Sequence, residues 1–391
     1  MRRLVWIGTE GRRLDLFRNT LEQSEYGQSF EGIVVVPFRG VIRGAIELPD
    51  VIESGDVVRI ESPGKDLELE RDLLRLGISC MSDDCDSRGS LSHEDLDALQ
   101  FDHGLILSQR QWYRGWCRLL NLVDEQLKAS APHMVMNSAS EIETLFDKVK
   151  CHELFRLAEI NTTKLLGPVH GFNELVALMD RNECNRVFVK PAHSSSASGI
   201  VAFERSENRQ VASTTVEAVS TRGKTSIYNT RRVRRIYDVQ EIRTLIDLLG
   251  EHNLFAEKWY PKAGLNGKRF DLRVVTVGGE CRNVVVRESH TPFTNLHLLN
   301  GRGQLQSARA AMGESLWGEV MNSCRRVAGV FSDCLYLGID VLIGSDMRSH
   351  VISEANAFGD LLPGILCDGL STYEWELKAI QSRYSKAGVN A

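Results

Sequence analysis

Two apolar stretches toward the C-terminal end carry polar residues that a plain buried strand would not tolerate. Leu337-Gly338-Ile339-Asp340-Val341-Leu342-Ile343 holds one carboxylate, and Val351-Ile352-Ser353-Glu354-Ala355-Asn356 holds a carboxylate and an amide two residues apart. Side chains alternate faces along a strand, so Glu354 and Asn356 share a face, and a hairpin would bring Asp340 beside them. Two carboxylates and an amide oxygen are hard donors suited to magnesium that also touches nucleotide phosphates. Buried without such a ligand they would be costly, and the competing reading is a structural salt bridge with neighbouring arginines. Those arginines sit in Asp271-Leu272-Arg273-Val274-Val275-Thr276-Val277, where Asp271 and Arg273 share a face, and at Arg287, the end of a partner strand from Asn283 after the turn at Gly278-Gly279.

Three upstream pieces fit a nucleotide. Lys190 ends the apolar run Val187-Phe188-Val189 and precedes Ala192-His193-Ser194-Ser195-Ser196-Ala197-Ser198-Gly199, a small-residue loop whose backbone N–H groups and hydroxyls can close over phosphate oxygens; a bland serine-rich turn is the alternative. Asp147-Lys148 opens the preceding helical stretch and offers a second cation, which taken alone would be a solvated lysine. Leu254-Phe255-Ala256-Glu257-Lys258-Trp259-Tyr260-Pro261 runs from an apolar strand into an acid and an extended segment, able to supply apolar walls, an acceptor and a backbone edge to an adenine ring; Glu257 as a mere strand end is the alternative.

In this order the phrases Asp147-Lys148, Val189-Lys190-Pro191, Glu257-Lys258-Trp259, Asp271-Leu272-Arg273, Arg287, Asn295-Leu296-His297, Gly338-Ile339-Asp340 and Glu354-Ala355-Asn356 resemble the ATP-grasp superfamily, most closely its RimK-like and glutathione-synthetase-like carboxylate-amine ligases. The resemblance spans roughly residues 136 to 365. It implies ATP with two magnesium ions, for which manganese could substitute. Lys148 and Lys190 would meet phosphates together with Ser195, Ser196 and Ser198. Glu257, Lys258, Trp259 and Tyr260 would hold the adenine. Asp340, Glu354 and Asn356 would bind metal. Arg273, Arg287 and Asn295 would face the transferred phosphate and the acyl intermediate. The implied reaction activates a carboxylate as an acyl phosphate and joins it to an amine, releasing ADP and phosphate. Phosphoryl transfer to a retained acceptor, or nucleotide binding without turnover, are the alternatives. A small-molecule or peptide acid and amine would be the substrates, and relatives often pair, so a homodimer is possible.

Elements that must position these groups can be read from periodicity. Leu4 to Gly8 and Gly32 to Pro37 predict buried strands, Leu67 to Leu76 a helix and Leu105 to Ser108 a further strand, together a small α/β domain over residues 1–135. Gly8-Thr9-Glu10-Gly11 lacks a full dinucleotide pattern and predicts a strand-to-helix turn. Ser82 to Asp97 is acidic and serine-rich, the pattern of a loop or seam. Gln109 to Ala129 predicts a helix with a core-facing stripe of Trp112, Trp116, Leu119, Leu120 and Val123, and Ser140 with Glu143 predicts a capping box. Residues 136–391 then form the two-lobed ATP-grasp unit, with a lid at about 164–257; the expected fold class is therefore α/β and α+β, multidomain. Arg231-Arg232-Val233-Arg234-Arg235 predicts a solvated strand edge in that lid, with Arg231 and Arg235 on one face and Arg232 and Arg234 on the other. His193 and His290 suggest hydrogen-bonding support, and His297, beside Asn295, a substrate contact.

Composition sets the outer limits. The 391 residues are 42% hydrophobic and 25% charged, and 47 basic against 52 acidic residues leave a net charge of -5. Such a balance gives no basic field for a polyanion, so no nucleic-acid partner is expected. No apolar run nears the roughly 18 residues of a membrane span, and Gly8, Glu10, Arg12 and Arg13 interrupt the opening apolar run. The expected location is the cytoplasm, with the nine scattered cysteines as reduced thiols.

Overall fold

The computed structural model describes residues 2–64, 66–78, 89–194, 197–221, 223–358 and 362–386. The first apolar runs form parallel strands Arg2–Ile7, Phe30–Val36 and Val57–Ile60, joined by the short Met134–Val135 in a four-stranded sheet. Helix Leu67–Ile78 packs on helix Gln109–Ala129, whose Trp116, Leu119, Leu120 and Val123 are buried as their spacing predicts.

Residues 165–258 build a six-stranded antiparallel sheet, ordered Leu165–Val169, Leu254–Lys258, Arg186–Pro191, Val201–Ser206, Arg209–Thr221 and Lys224–Ile236. A second antiparallel sheet takes Gly301–Arg302, Glu280–Ser289, Lys268–Val277, Tyr336–Ile343 and His350–Asn356 in that order. Every residue of Tyr336–Ile343 is buried, because helix Leu305–Val330 covers one face of this sheet with Ala308, Met312, Leu316 and Val327. One continuous core joins this sheet to the parallel one, with Val5 and Ile7 in the same cluster as Val274 and Ile339. The C-terminal helix Thr372–Lys386 locks the two further: Tyr384 donates to the carbonyls of Gly55 and Asp56 at 3.0 and 3.2 Å.

Several local expectations are corrected. The helix at 139 begins two residues earlier than the Ser140 box predicts: Ser138 is the cap, its hydroxyl accepting from the Glu141 N–H of helix Ala139–Leu145, because the chain is still extended at Ser138. Leu105 to Ser108 forms no strand of the parallel sheet. Leu105 instead bridges Tyr228 of the other sheet, with Ile106 donating to the Ile227 carbonyl at 2.9 Å and Asn229 to the Gly104 carbonyl at 2.7 Å. Gly104 is required there: a Cβ would meet the Asn229 carbonyl at 2.6 Å, and its φ of +87° lies in the left-handed region. Alternation through the arginine run also fails, because Thr214 pairs Arg234 while Val216 pairs Asn229, so residues 230–233 bulge from the ladder.

Residues 82–88 of the Ser82 to Asp97 stretch lie outside the described residues; its end forms helix His93–Ala98, capped by Ser92. No helix among the described residues is long and apolar enough to cross a membrane. The seven described cysteines are free, and Cys80 and Cys85 lie outside the described residues.

Candidate active site

A cavity of about 330 Å³ opens between the two antiparallel sheets and the end of the parallel one. Strand pairing explains why its chemistry gathers there. Asp340 pairs Glu354 across the hairpin and Arg273 on its other side, Gly338 pairs Asn356, and Asp271 pairs Arg287. Four strands are thus brought to one patch of one sheet.

Around Asp340 and Asp271 the patch is an ion lattice. Arg273 Nε and Arg287 Nη1 lie 3.0 and 3.1 Å from Asp340 Oδ1, while Arg287 Nε donates to Asp271 Oδ1 at 2.7 Å. Lys262 donates to Asp271 Oδ2 at 3.1 Å and to Thr294 at 2.7 Å, and the Thr294 hydroxyl also donates to Asp271. Burial would raise Asp271, but Arg287 and Lys262 hold it well below the usual carboxylate range. Asp340 goes the other way: burial, reinforced by Glu354 and Asp271, lifts it despite the two arginines. Burial would lift Glu354 too, yet Lys148, Lys190, Arg273 and Arg287 keep it low. With its amide turned to suit both neighbours, Asn356 donates to Glu354 Oε1 at 3.1 Å and accepts from Arg273 at 2.9 Å.

No cluster of three His, Cys, Asp or Glu side chains suited to a metal occurs among the described residues. The oxygen set is instead Asp340, Glu354 and the Asn356 amide. Asp340 Oδ1 is buried and, although two guanidiniums are near, no hydrogen bond is aligned on it. Two carboxylates and an amide oxygen gathered on adjacent strands form a set of hard donors whose chemistry fits a divalent cation.

On the other side of the cavity, helix Lys148–Leu157 is capped by Asp147, which accepts from Val149 and Lys150 at 3.0 Å and so aims Lys148 inward. Lys148 Nζ donates to the Ser194 carbonyl and stands 3.6 Å from Glu354. Lys190 donates to Glu257 at 2.8 Å from the adjacent strand. Behind them His152, its ring 3.9 Å from Glu257, is kept neutral by burial. Phe188, Ile200, Leu342 and Tyr260 give this end its apolar walls.

The cavity therefore unites Lys148, Lys190, Glu257, Tyr260, Arg273, Arg287, Asn295, His297, Asp340, Glu354 and Asn356. Lys258, Trp259 and Ser198 do not line it. Lys258 is exposed, and the N–H groups of Lys258 and Trp259 are taken by the Lys164 and Arg186 carbonyls. Ser195 and Ser196 lie outside the described residues. His193 lies behind the serine loop, stacked on Tyr113 with centroids 3.8 Å apart and pushed down to about 4 by burial. Sequence reasoning missed Arg13, Ser62, His152, Lys262 and Thr294. Lys262 alone left a trace, a cation just past Pro261 where a buried strand was not expected to need one.

No family model and no curated protein matches the chain. Solved structures do. The ATP-grasp ligase PsnB complexed with minimal precursor, Mg and ADP is similar at a TM-score of 0.51 and 12% identity, over 98% of both chains. The macrocyclase MdnC bound with precursor peptide MdnA, from Microcystis aeruginosa MRC, is similar at 0.53 and 10%, over 97% of this chain and 99% of that one. D-cycloserine synthetase DcsG is similar at 0.53 and 11%, with the same coverage. Likeness of this extent at such identities is a likeness of fold, and the chain has the ATP-grasp fold: an α/β N-terminal unit followed by a two-lobed α+β unit.

Proposed function

We propose that the chain is an ATP-dependent carboxylate-amine ligase working through an acyl phosphate. The observation that carries this reading is the charge of the cleft. Six cationic side chains, Arg13, Lys148, Lys190, Lys262, Arg273 and Arg287, face four carboxylates, in a chain whose net charge is -5. A positive, partly buried cleft on an acidic protein favours a polyanion such as a nucleoside triphosphate. The neighbours PsnB and MdnC are named as a ligase and a macrocyclase, PsnB holding Mg and ADP.

Lys148 and Lys190 hold the phosphates, and the apolar end beside Glu257 takes the base. Magnesium held by Asp340, Glu354 and Asn356 would neutralise charge on the phosphates. The carboxylate substrate lies against Arg273 and Arg287, whose donors meet the negative charge that spreads over the phosphoryl oxygens during transfer. Asp271 is held ionised by Arg287 and Lys262, so it fixes Arg287 without taking a proton. Residues 164–257 act as a lid, tied to the loop at Gly104–Ile106, and exclude water that would otherwise hydrolyse the acyl phosphate.

The test is incubation with ATP, Mg2+ and pooled amino acids or peptides, followed by mass spectrometry. ADP and a new amide are expected. AMP in place of ADP removes the acyl-phosphate mechanism.

A further inference from the structure

Of the six cations in the cleft, five come from residues 148–287 and one, Arg13, from the N-terminal unit. It sits in the first turn of helix Arg12–Gln23, directly after the strand-to-helix turn. Both its Nη atoms donate to the Phe358 carbonyl, at 3.3 and 3.2 Å, and Nη2 stands 3.1 Å from Glu61 Oε1. Its Nε is buried without a partner, while the side chain as a whole keeps 34% of its surface open and lines the cavity beside Ser62.

Glu61 does not neutralise Arg13 alone. Its other oxygen accepts from Arg59 Nε at 3.1 Å, so one carboxylate serves two guanidiniums. The second acid of the group, Glu376, touches Arg59 at 2.5 Å and not Arg13, and burial pushes it up to about 7. Near neutral pH the group therefore holds more positive than negative charge, and Arg13 is its member that reaches the cleft. None of the contacts of Arg13 is shared with Arg273 or Arg287, which meet Asp271 and Asp340. The carboxylate that is activated must lie by those two arginines, so an anion at Arg13 is a different one.

Resting on the ligase reading above, we infer that Arg13 docks a second, non-reacting carboxylate, and that the acid substrate is a dicarboxylate. The Arg13 charge, with the Nη1 hydrogen not taken by the Phe358 carbonyl, favours a carboxylate over a neutral carboxamide. Phe146 and Phe358, in edge contact at 5.7 Å between centroids, supply an apolar wall beside the short carbon chain between the two acid groups.

The experiment is calorimetry on the full chain with Mg2+ and a non-hydrolysable ATP analogue. The probes are aspartate and glutamate against their singly amidated forms: asparagine, glutamine, isoasparagine and isoglutamine. The two diacids are expected to bind about tenfold or more tightly than any monoamide. Arg13→Gln is expected to erase that ratio and Arg13→Lys to restore part of it. A merely structural arginine would change analogue affinity or melting temperature and leave the ratio alone. Equal affinities in the wild-type protein, no binding of any of the six probes, or an unchanged ratio in Arg13→Gln overturns the proposal. Because no turnover is needed, the ligase reading fails separately: diacids that bind and stimulate ADP release yet give no hydroxamate with hydroxylamine leave the docking site standing and remove the acyl phosphate.

Discussion

Two charged clusters lie within one fold and are built to opposite ends. Arg59 and two glutamates are sealed among aromatic rings, with Arg13 reaching from them to the cleft; the Arg59 guanidinium carbon lies 4.6 Å from the Tyr336 ring centre, 5.0 Å from Phe17 and 5.2 Å from Trp6. Arg59, Glu61 and Glu376 are almost without exposure, and Trp6 Nε1, Tyr336 Oη and Glu376 Oε1 have no hydrogen-bond partner. Around Asp340 the charges are as numerous but open to the cleft, and nearly every donor has a carboxylate or carbonyl partner. The first cluster lets burial win and pushes an acid toward neutrality. The second surrounds most of its acids with cations and keeps Asp271 and Glu354 ionised. A charge group sealed from solvent serves chiefly the fold, whereas one that faces a cavity can exchange its protein partners for a ligand's.

That contrast can be broken at four points. The largest effect is expected at Glu354→Gln, which keeps shape and removes a metal-facing charge: ADP formation falls by about 1000-fold, while the melting temperature without nucleotide barely moves. Full turnover at ordinary magnesium would take Glu354 out of the site.

Next comes Glu376→Gln in the sealed cluster. The folded protein holds this acid up to about 7 against an ordinary value of 4.5. Its neutral form is favoured by folding, so its contribution to stability is complete below pH 4.5 and lost as pH rises through 7. The loss is ~3 kcal/mol at most. Glu376→Gln should remove this decline, seen as a melting-temperature difference between the two proteins that grows from pH 5 to 7. The difference cancels the opposing contribution of His193 and His252, both held near 4 by burial. A pH-independent difference would show that Glu376 stays ionised against Arg59.

Arg287→Lys tests the open cluster at constant charge. The rate should fall about 100-fold with ATP affinity nearly intact, the pattern of an interaction made mainly in the transition state. Normal hydroxamate yield from this variant would move Arg287 away from the acyl group. The smallest effect is expected at Lys190→Ala, which leaves Glu257 beside His152 but weakens ATP binding by about tenfold; wild-type affinity by calorimetry would remove Lys190 from the phosphates.

Much of the fold was legible because strands announce themselves by runs and alternation. That Asp271–Val277 pairs with the strand ending at Arg287, and Leu337–Ile343 with Val351–Asn356, follows from hairpin logic, while the bulges that set 271 opposite 287 and 340 opposite 354 do not. Other elements were illegible for physical reasons. Helix Leu305–Val330 is interrupted at Gly313, whose φ is +74°, which breaks the apolar period in two. Helix Thr372–Lys386 is amphipathic only toward partners from both ends of the chain. Residues 230–233 look like a continuing strand because nothing local marks a bulge whose cause is the opposing strand.

By itself the sequence determined which groups were available: carboxylates and an amide at strand spacing, lysines at a strand end and a helix start, arginines in an alternating strand. These are local properties, set by period and by residue chemistry. Only the tertiary structure decided how the charges divide. It sent Lys258 outward and committed the N–H groups of Lys258 and Trp259 to neighbouring strands, drew Lys262 inward to Asp271, and brought Arg13 across 345 residues of chain to the Phe358 carbonyl. Burial and partner identity depend on what the rest of the chain places alongside, and no window of sequence contains that information.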